Sequence, residues 1–222
     1  MPWDISFLLA QKANIKFMKN QYKWSGAELS PTLKLLLPEI KKNILNKISK
    51  KSLVLDAGCG AGYLANWLGR QGFRTLGVDG SRAGIKLANK KRNKNSKFIC
   101  SNIEKLKYKF LNTFDCVFLI EVIEHVFSPR DLLSAIQMVT KKNGYIFIST
   151  PYHGYFKNLL IALLGKFDEH FTALWDFGHI KFFSKKTLTK MILENKFEVV
   201  HYKAVGRFFL LWKSMIFILK KK

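Results

Sequence analysis

Glycines and acids at the ends of the first two predicted strands have the spacing best suited to chemistry. Residues 54–62 read VLDAGCGAG, an apolar strand that runs into a loop with glycine at positions 58, 60 and 62. Glycine lets the main chain approach a ligand closely and adopt turns that other residues avoid. Asp79 ends the second strand, 21 residues after Gly58, the usual place for a carboxylate that accepts hydrogen bonds from ribose hydroxyls. The spacing predicts a nucleotide site.

Two details separate the nucleotides that such a site could hold. The glycine spacing is Gly58-x-Gly60-x-Gly62, and Tyr63 stands where a dinucleotide fingerprint has its last glycine. Asp56 immediately precedes the loop, where a carboxylate would repel a pyrophosphate but suits the ammonium group of a methionine moiety. These details favour S-adenosylmethionine over a nicotinamide or flavin dinucleotide, with a purely structural glycine turn as the weaker alternative.

A second group of candidate residues follows the fourth predicted strand. Glu121, Glu124 and His125 have i, i+3, i+4 spacing, so on a helix they would share one face. Three interpretations stay open: a divalent-metal site, His125 as a general base, or a positioning role in which Glu121 and His125 orient the cofactor and Glu124 caps or pairs. No residue is assigned as a metal ligand at this stage.

Short apolar runs alternate with segments of helical composition from residue 53 onward. Strands are predicted at 53–56, 75–79, 98–101, 115–120 and 145–150, then at 197–205 and 213–219. Helices are predicted at 61–71, 129–142 and 185–195, the second of which starts at Ser128-Pro129 and stops at Lys142-Asn143-Gly144. Strands alternating with helices imply a doubly wound, mostly parallel α/β sheet with right-handed crossovers.

The chain divides into a predicted N-terminal cap and one main domain. Residues 1–50 have helical composition, with expected breaks near Gly26 and at Pro31 and Pro38. Residues 51–222 form the α/β domain, in which residues 152–180 are an insertion rich in Phe, Leu, His and Trp. Because the insertion follows the fifth strand, we expect it to cover the cofactor edge as a substrate lid.

Net charge and apolar runs suggest partners, but each has a simpler explanation. The formal net charge is +23, which suits nucleic acid or an anionic membrane. However, Lys far outnumbers Arg, and Asn, Ile and Phe are frequent, as AT-rich coding would produce. The apolar runs 159–164 and 208–212 leave peripheral membrane contact or a lipid-like acceptor open, against packing within the domain or a dimer contact.

The cysteines and the N-terminus indicate a cytoplasmic location. Cys59, Cys100 and Cys116 are odd in number and lack metal-ligand spacing, which is typical of a reducing compartment. Asp4 and Lys12 interrupt any signal-like apolar stretch. No run approaches the roughly 20 apolar residues that span a bilayer.

Taken together, these motifs resemble the class I S-adenosylmethionine-dependent methyltransferases. The resemblance rests on residues 56–62, Asp79 and the sequence FDCVFLIEVIEH at 114–125. It covers about residues 50–205 and is nearest to the small-molecule branch that includes ubiquinone-biosynthesis O-methyltransferases. It implies a Rossmann-like seven-stranded sheet with the last strand antiparallel, and S-adenosylhomocysteine (SAH) as a product.

The resemblance also implies roles for individual residues. Gly58 and Gly60 lie under the methionine part, Asp79 holds the ribose, and Glu121 begins the loop beside the sulfonium. The remaining cofactor-binding positions are Asp56, Cys59, Tyr63, Gly80, Asn102 and Ile103, the last two beside the adenine. Position 102 usually carries Asp in this family; Asn102 can still accept a hydrogen bond through its amide oxygen.

The histidines are the remaining catalytic candidates. His179 lies in a segment, 178–184, that resembles the one before the penultimate helix in this branch, where a His reaches the substrate pocket. His153 follows the fifth strand. With His125 they are candidate bases or orienting groups; the alternative for His153 and His179 is a hydrogen-bonded structural role in the lid.

These features imply methyl transfer to a small organic acceptor, most simply to an oxygen. An RNA or DNA methyltransferase is the first alternative, but the Asn/Asp-Pro-Pro-aromatic motif is absent and Thr150-Pro151-Tyr152 ends the fifth strand. A non-catalytic cofactor-binding protein is the second, although its glycine loop would be expected to decay, and here the loop is intact.

Overall fold

A seven-stranded sheet with order β3-β2-β1-β4-β5-β7-β6 forms the centre of the computed structural model, which describes residues 30–171 and 173–222. The strands are β1 (Leu53–Ala57), β2 (Arg74–Asp79), β3 (Ser96–Cys100), β4 (Phe114–Ile120), β5 (Thr140–Pro151), β6 (Phe197–Val205) and β7 (Ser214–Lys221). The pairs from β3 to β5 are parallel, and β7 runs antiparallel to both β5 and β6. The predicted sheet and its antiparallel last strand are confirmed.

Helices cover both faces of this sheet. They are α1 (Pro31–Lys47), α2 (Tyr63–Arg70), α3 (Arg82–Lys90), α4 (Pro129–Val139), α5 (Tyr155–Leu163), α6 (Phe167–Phe171) and α7 (Lys185–Glu194), with 3-10 turns at Ile103–Tyr108 and Ile123–His125. Alternate residues of β4 point to opposite faces. Phe118 joins α1 and α2 in one apolar cluster, whereas Val117 and Leu119 join α4 and α7 in the other.

The expected break at Pro38 is wrong, because α1 continues through it to Lys47. Pro31 instead stands in the first turn, after Ser30, whose hydroxyl accepts from the main-chain N–H of Leu33 at 3.1 Å. Leu36, Ile40 and Ile44 are fully buried at helical spacing, so packing on both sides of Pro38 outweighs the hydrogen bond that proline removes. The break expected near Gly26 lies outside the described residues.

The predicted end of α4 is also wrong. The helix begins at Pro129 as expected, after Ser128, but ends at Val139. Thr140 already pairs with Phe114 of β4, and the main ladder resumes at Tyr145 opposite Cys116. The turn at residues 142–144 therefore lies inside β5, where the register shifts. Its left-handed residue, Asn143 with φ 62°, marks an irregularity in the strand instead of a helix end.

The carboxyl ends of β1, β2, β4 and β5 meet at one edge of the sheet, because these strands are parallel. Each is followed there by a loop that carries candidate site residues, and α5 and α6 lie in the connection from β5 to α7. Within the described residues, no helix combines the length and apolarity needed to cross a bilayer.

Candidate functional site

Three left-handed glycines bend the loop after β1. Gly58, Gly60 and Gly62 have φ of 80°, 51° and 77°, a region that residues with a Cβ adopt at a cost. A Cβ on Gly58 would lie 2.4 Å from Cγ2 of Val122. The main-chain N–H of Gly58 donates to the Val78 carbonyl at 2.7 Å. The loop therefore needs glycine for both its conformation and its close packing.

Asp79 joins the end of β2 to this loop. One carboxylate oxygen accepts from the main-chain N–H of Gly60 at 2.9 Å, and the other accepts from that of Ser81 at 2.7 Å. Burial raises the pKa of Asp79, while these two hydrogen bonds lower it in part. Each oxygen keeps a second lone pair, so the carboxylate can accept further bonds from a ligand's hydroxyls.

Asp56 is the more deeply buried acid of the pair, with 2% of its surface exposed. Its carboxylate accepts from the main-chain N–H of Ala65 in the first turn of α2 at 3.0 Å. Burial raises the pKa of Asp56 to about 7, the Ala65 bond opposes this, and the charge of Asp79 adds to it. Asp56 thus anchors the helix start and is poised to ionise when a cation approaches. Burial also raises the pKa of the neighbouring Cys59 thiol well above its usual value, which keeps the thiol neutral.

Two cavities open at this edge, and they share Gly58, Glu121 and His125. One, of about 450 Å³, is lined by Asp79, Gly80, Asn102, Ile103 and neighbouring residues. The other, of about 420 Å³, is lined by Asp56, Cys59, Tyr63 and residues of the 152–180 insertion. Apart from Gly60, which lines neither cavity, the predicted cofactor residues thus divide between two chambers that share lining residues. We call them the ribose-side and the insertion-side cavity.

Charge differs between the two chambers. Among the described residues, those lining the ribose-side cavity include four carboxylates, Asp79, Glu104, Glu121 and Asp176, and no Lys or Arg. The described lining of the insertion-side cavity includes three cations, Lys157, Arg207 and Lys213. The ribose-side cavity therefore suits a positively charged ligand rich in hydroxyls.

Glu121 does not share a helical face with Glu124 and His125, so that expectation is wrong. Its φ of 55° turns the chain at the end of β4, and the 3-10 turn begins only at Ile123. Its Oε1 atom accepts from the hydroxyls of Ser149 and Ser214, at 2.7 and 2.8 Å. Burial raises the pKa of Glu121, against these hydrogen bonds. Glu121 is thus held toward β5 and β7, with its side chain at the junction of the cavities.

Glu124, His125 and His179 come together instead. One potential ligand atom from each lies within 4.8 Å of the others. Main-chain bonds from Ile180 and Lys181 to the Glu124 carbonyl draw the two segments together. Glu124 is fully buried, and neither of its carboxyl oxygens has a hydrogen-bond partner among the described residues. Burial raises the pKa of Glu124 well above its usual value, and the charge of Glu121 adds to this, so the carboxyl holds a proton when no cation is bound. One carboxyl and two imidazoles are donor types that fit a divalent cation, which would displace that proton.

The orientation of His125 is set by a carbonyl. Its Nδ1 lies 3.1 Å from the Gly178 carbonyl oxygen, which can only accept, so Nδ1 carries the proton and Nε2 keeps its lone pair. Burial lowers the pKa of His125, and the carbonyl bonds oppose that effect. The imidazole is therefore held neutral between the cavities.

His153 lies in an aromatic cluster of the insertion. Its ring centroid is 5.1 Å from that of Phe182 and 5.8 Å from that of Phe171, and neither ring nitrogen has a hydrogen-bond partner among the described residues. Burial, together with the positive charge of Lys157, lowers the pKa of His153 to about 4. His179 also has a pKa of about 4, from burial and the nearby His125. Both are weak bases near neutral pH.

With this geometry in place, comparison with known proteins identifies the family. Residues 26–202 match the family described as a methyltransferase domain. The chain belongs to this methyltransferase-domain family. The class I resemblance drawn from residues 56–62, Asp79 and 114–125 is thereby confirmed.

Individual relatives of this methyltransferase-domain chain agree with that placement. A ubiquinone biosynthesis O-methyltransferase from Bradyrhizobium diazoefficiens is 31% identical over 160 residues, which cover 68% of this chain and 60% of that protein. The match thus spans less than two thirds of the relative's length.

Solved structures share the fold at lower identity. A Pyrococcus horikoshii protein has a TM-score of 0.69 with 21% identity, covering 93% of this chain and 99% of that chain. The magnesium protoporphyrin IX methyltransferase of Synechocystis with bound SAH has a TM-score of 0.67 with 14% identity, covering 96% of this chain and 95% of that one.

Sequence reasoning missed several residues that line the insertion-side cavity of this methyltransferase-domain chain. They are Lys157, Arg207 and Lys213. Lys157 carried a signal, because it is a lone charge beside the apolar run 159–164. Arg207 and Lys213 flank the apolar run 208–212. That run was interpreted as a packing or membrane-contact segment, and the two flanking cations were not considered as site residues.

Proposed function

We propose that this protein transfers the methyl group of S-adenosylmethionine to an oxygen of a small organic acceptor. The single observation that carries the proposal is the pair of cavities that meet at Gly58, Glu121 and His125. The ribose-side cavity has acids that suit the cofactor's ribose and sulfonium, and the insertion-side cavity has Asp56 for its ammonium group and further room for an acceptor. A methyl group held at the junction would be open to in-line attack from the acceptor side.

The cofactor would lie across the carboxyl edge of the sheet. The left-handed main chain at Gly58 would pass under its methionine part, Asp56 would pair with its ammonium group, and Asp79 would hold its ribose hydroxyls. Asn102 and Ile103 line the ribose-side cavity, and we place the adenine beside them. When bound, S-adenosylmethionine supplies an electrophilic methyl group; the protein supplies alignment.

The acceptor would lie in the insertion-side cavity, with its hydroxyl near His125. Glu124, His125 and His179 would hold a divalent cation, and such an ion, when bound, favours ionisation of a hydroxyl that it contacts. The orphaned carboxyl of Glu124 supports this role over a general base at His125. If no cation binds, Nε2 of His125 is the basic atom left to take the acceptor's proton.

The 152–180 insertion would exclude water from the reaction. His153, Lys157, His170 and Trp175 line the insertion-side cavity, and apolar rings surround His153. We therefore propose that the insertion is a substrate lid over the 51–222 domain and that the protein acts in the cytoplasm. Of the predicted cap at residues 1–50, residues 1–29 lie outside the described residues.

Calorimetry with SAH, followed by a methyl-transfer assay, tests the proposal. We expect micromolar binding of SAH, no binding of a nicotinamide dinucleotide, and SAH formation with at least one member of a phenol, catechol and hydroxy-acid panel. Binding of the dinucleotide but not of SAH would overturn the cofactor assignment. Salt-sensitive methylation of RNA with no small-molecule turnover would instead revive the nucleic-acid alternative.

A further inference from the structure

Lys157 is a buried cation with little to compensate it. Only 4% of the residue is exposed, and its Nζ donates one hydrogen bond, to the Tyr152 carbonyl at 2.7 Å. An ammonium group has three donors, so two are unused among the described contacts. Burying a charge is costly unless it is paired, which indicates that this side chain is placed to meet a ligand.

Two more cations share the same cavity. Arg207 follows β6, Lys213 immediately precedes β7, and both line the insertion-side cavity with Lys157. Burial lowers the pKa of Lys157 to about 8, and the charges of Arg207 and Lys213 contribute to that shift. At neutral pH the ammonium is still mostly protonated, so three positive charges converge on one chamber.

The protein offers these cations no close counter-ion. Within the part of the chain that the structure describes, none of the three lies within 4.0 Å of a carboxylate. Glu121 raises the pKa of Lys157 through its charge, but its Oε1 is engaged by Ser149 and Ser214. Asp56 is the other carboxylate in the described lining of this cavity, so two carboxylates face three cations.

The position of the cations favours the acceptor over the cofactor. Lys157 follows β5, which is two strands from β1, and Lys213 precedes β7, which is three strands away. At about 4.8 Å per strand, β5 and β7 lie roughly 10–14 Å from β1 along the sheet, although Asp56 and Cys59 line the same cavity as the cations. None of the three cations lines the ribose-side cavity.

We propose that the acceptor carries an anionic group, a carboxylate or a phosphate, that Lys157, Arg207 and Lys213 bind in the insertion-side cavity. This inference rests on the proposed function and adds the substrate class. Arg207 would supply a planar fork, and the two lysines would supply point charges. The anion would fix which hydroxyl of the acceptor faces the methyl group.

Probe ligands can test this before the acceptor is known. With the protein saturated with SAH, we would measure binding of benzoate, phenyl phosphate and neutral benzamide by calorimetry. We expect at least one anion to bind about tenfold more tightly than benzamide. Lys157→Met and Arg207→Gln should each remove most of that preference, whereas Lys186→Met, an exposed charge change on α7, should keep it.

Binding of SAH and of 5′-methylthioadenosine separates the sources of the anion. We expect Lys157→Met to bind both within about twofold of wild type, which also shows that the variant is folded. If it loses SAH affinity tenfold but keeps 5′-methylthioadenosine, the cations hold the cofactor's own carboxylate and the proposal is wrong. Equal affinities for the anions and benzamide in wild type would also overturn it. If the wild-type protein does not bind SAH at all, the proposed function itself is contradicted.

Discussion

The carboxylate of Asp79 accepts a hydrogen bond from the main-chain N–H of Gly60 at 2.9 Å, across the gap between the ends of β2 and β1. The same side chain also accepts from Ser81. Asp79 therefore shapes the glycine loop before any ligand arrives, and a ligand hydroxyl would add to a carboxylate that is already oriented. This preorganisation lowers the entropic cost of binding.

Substitution of Asp79 by Asn should separate its charge from its shape. The amide keeps one acceptor oxygen but loses the negative charge and the second acceptor. We expect SAH affinity to fall about tenfold to a hundredfold, since hydrogen bonds to charged groups contribute about 1.5–3 kcal/mol. Calorimetry measures this. Asp131→Asn, an exposed acid on α4, is the control, and near-normal affinity in the Asp79 variant would contradict the site assignment.

Substitution of Gly58 by Ala should damage the loop more than its conformation alone requires. The new Cβ would meet Val122 at 2.4 Å, at a φ of 80°. Gly165 provides a matched control, because its φ is 62° but nothing lies within 4 Å of the added atom. We expect Gly165→Ala to lower the free energy of unfolding by about 1 kcal/mol and Gly58→Ala by about 2–4 kcal/mol, with loss of SAH binding. Denaturant titration compares them, and equal losses would argue against tight packing at Gly58.

Local sequence signals were sufficient to predict the sheet and the edge at which the candidate residues meet. The glycine loop and Asp79 follow buried strands, and strand alternation fixes that these ends meet. Local sequence signals gave wrong helix boundaries where tertiary packing determines the conformation. Pro38 stays helical because buried side chains on both sides hold it, and Asn143 belongs to a strand irregularity because Thr140 already pairs with β4.

Contacts between segments that are distant in the sequence also could not be predicted from residue spacing. His179 is brought close to Glu124 because the next two residues, Ile180 and Lys181, donate main-chain hydrogen bonds to the Glu124 carbonyl. No i, i+4 pattern encodes this contact. Likewise, Lys157 is buried on a helix whose Leu residues are outside, the reverse of ordinary amphipathic order. The helical periodicity of the sequence therefore predicts that Lys157 is exposed.

Removal of divalent cations should slow methyl transfer. Glu124, His125 and His179 have the donor types and proximity for one ion. After dialysis against EDTA we expect activity to fall at least about tenfold and to return when Mg²⁺, Mn²⁺ or Zn²⁺ is added. Glu124→Gln should lose this cation response and keep SAH affinity. If EDTA-treated enzyme remains fully active, the cation assignment fails and His125 becomes the candidate base.

The outward face of α5 offers a test of peripheral membrane contact. Tyr155, Phe156 and Leu163 are 76%, 56% and 75% exposed, on a chain with net charge +23. We expect flotation with vesicles containing phosphatidylglycerol, weakened severalfold by combining Phe156→Asp and Leu163→Asp. Leu193→Asp on α7, where Leu193 is 58% exposed, controls for added charge. If the Phe156→Asp/Leu163→Asp double variant floats as well as Leu193→Asp, the outward face of α5 does not insert into the vesicles.

Cofactor affinity should depend on pH through Asp56. Its pKa of about 7 lies above the ordinary value of 3.8 because of burial, so the folded protein holds a proton there that must leave before an ammonium group can pair with the carboxylate. Raising the pH from 6 to 7.5 ionises the group, and we expect SAH affinity to rise about fivefold to tenfold. The sign for folding is opposite. Between about pH 4 and 7 the unfolded chain ionises this carboxyl while the folded protein keeps its proton, so the stability that the group contributes falls as pH rises. Calorimetry from pH 6 to 7.5 should show the rise in SAH affinity in wild type. It should show a flat profile in Asp56→Asn, whose amide oxygen can still accept a hydrogen bond from the Ala65 N–H. A variant as pH-dependent as wild type would assign the effect to another group.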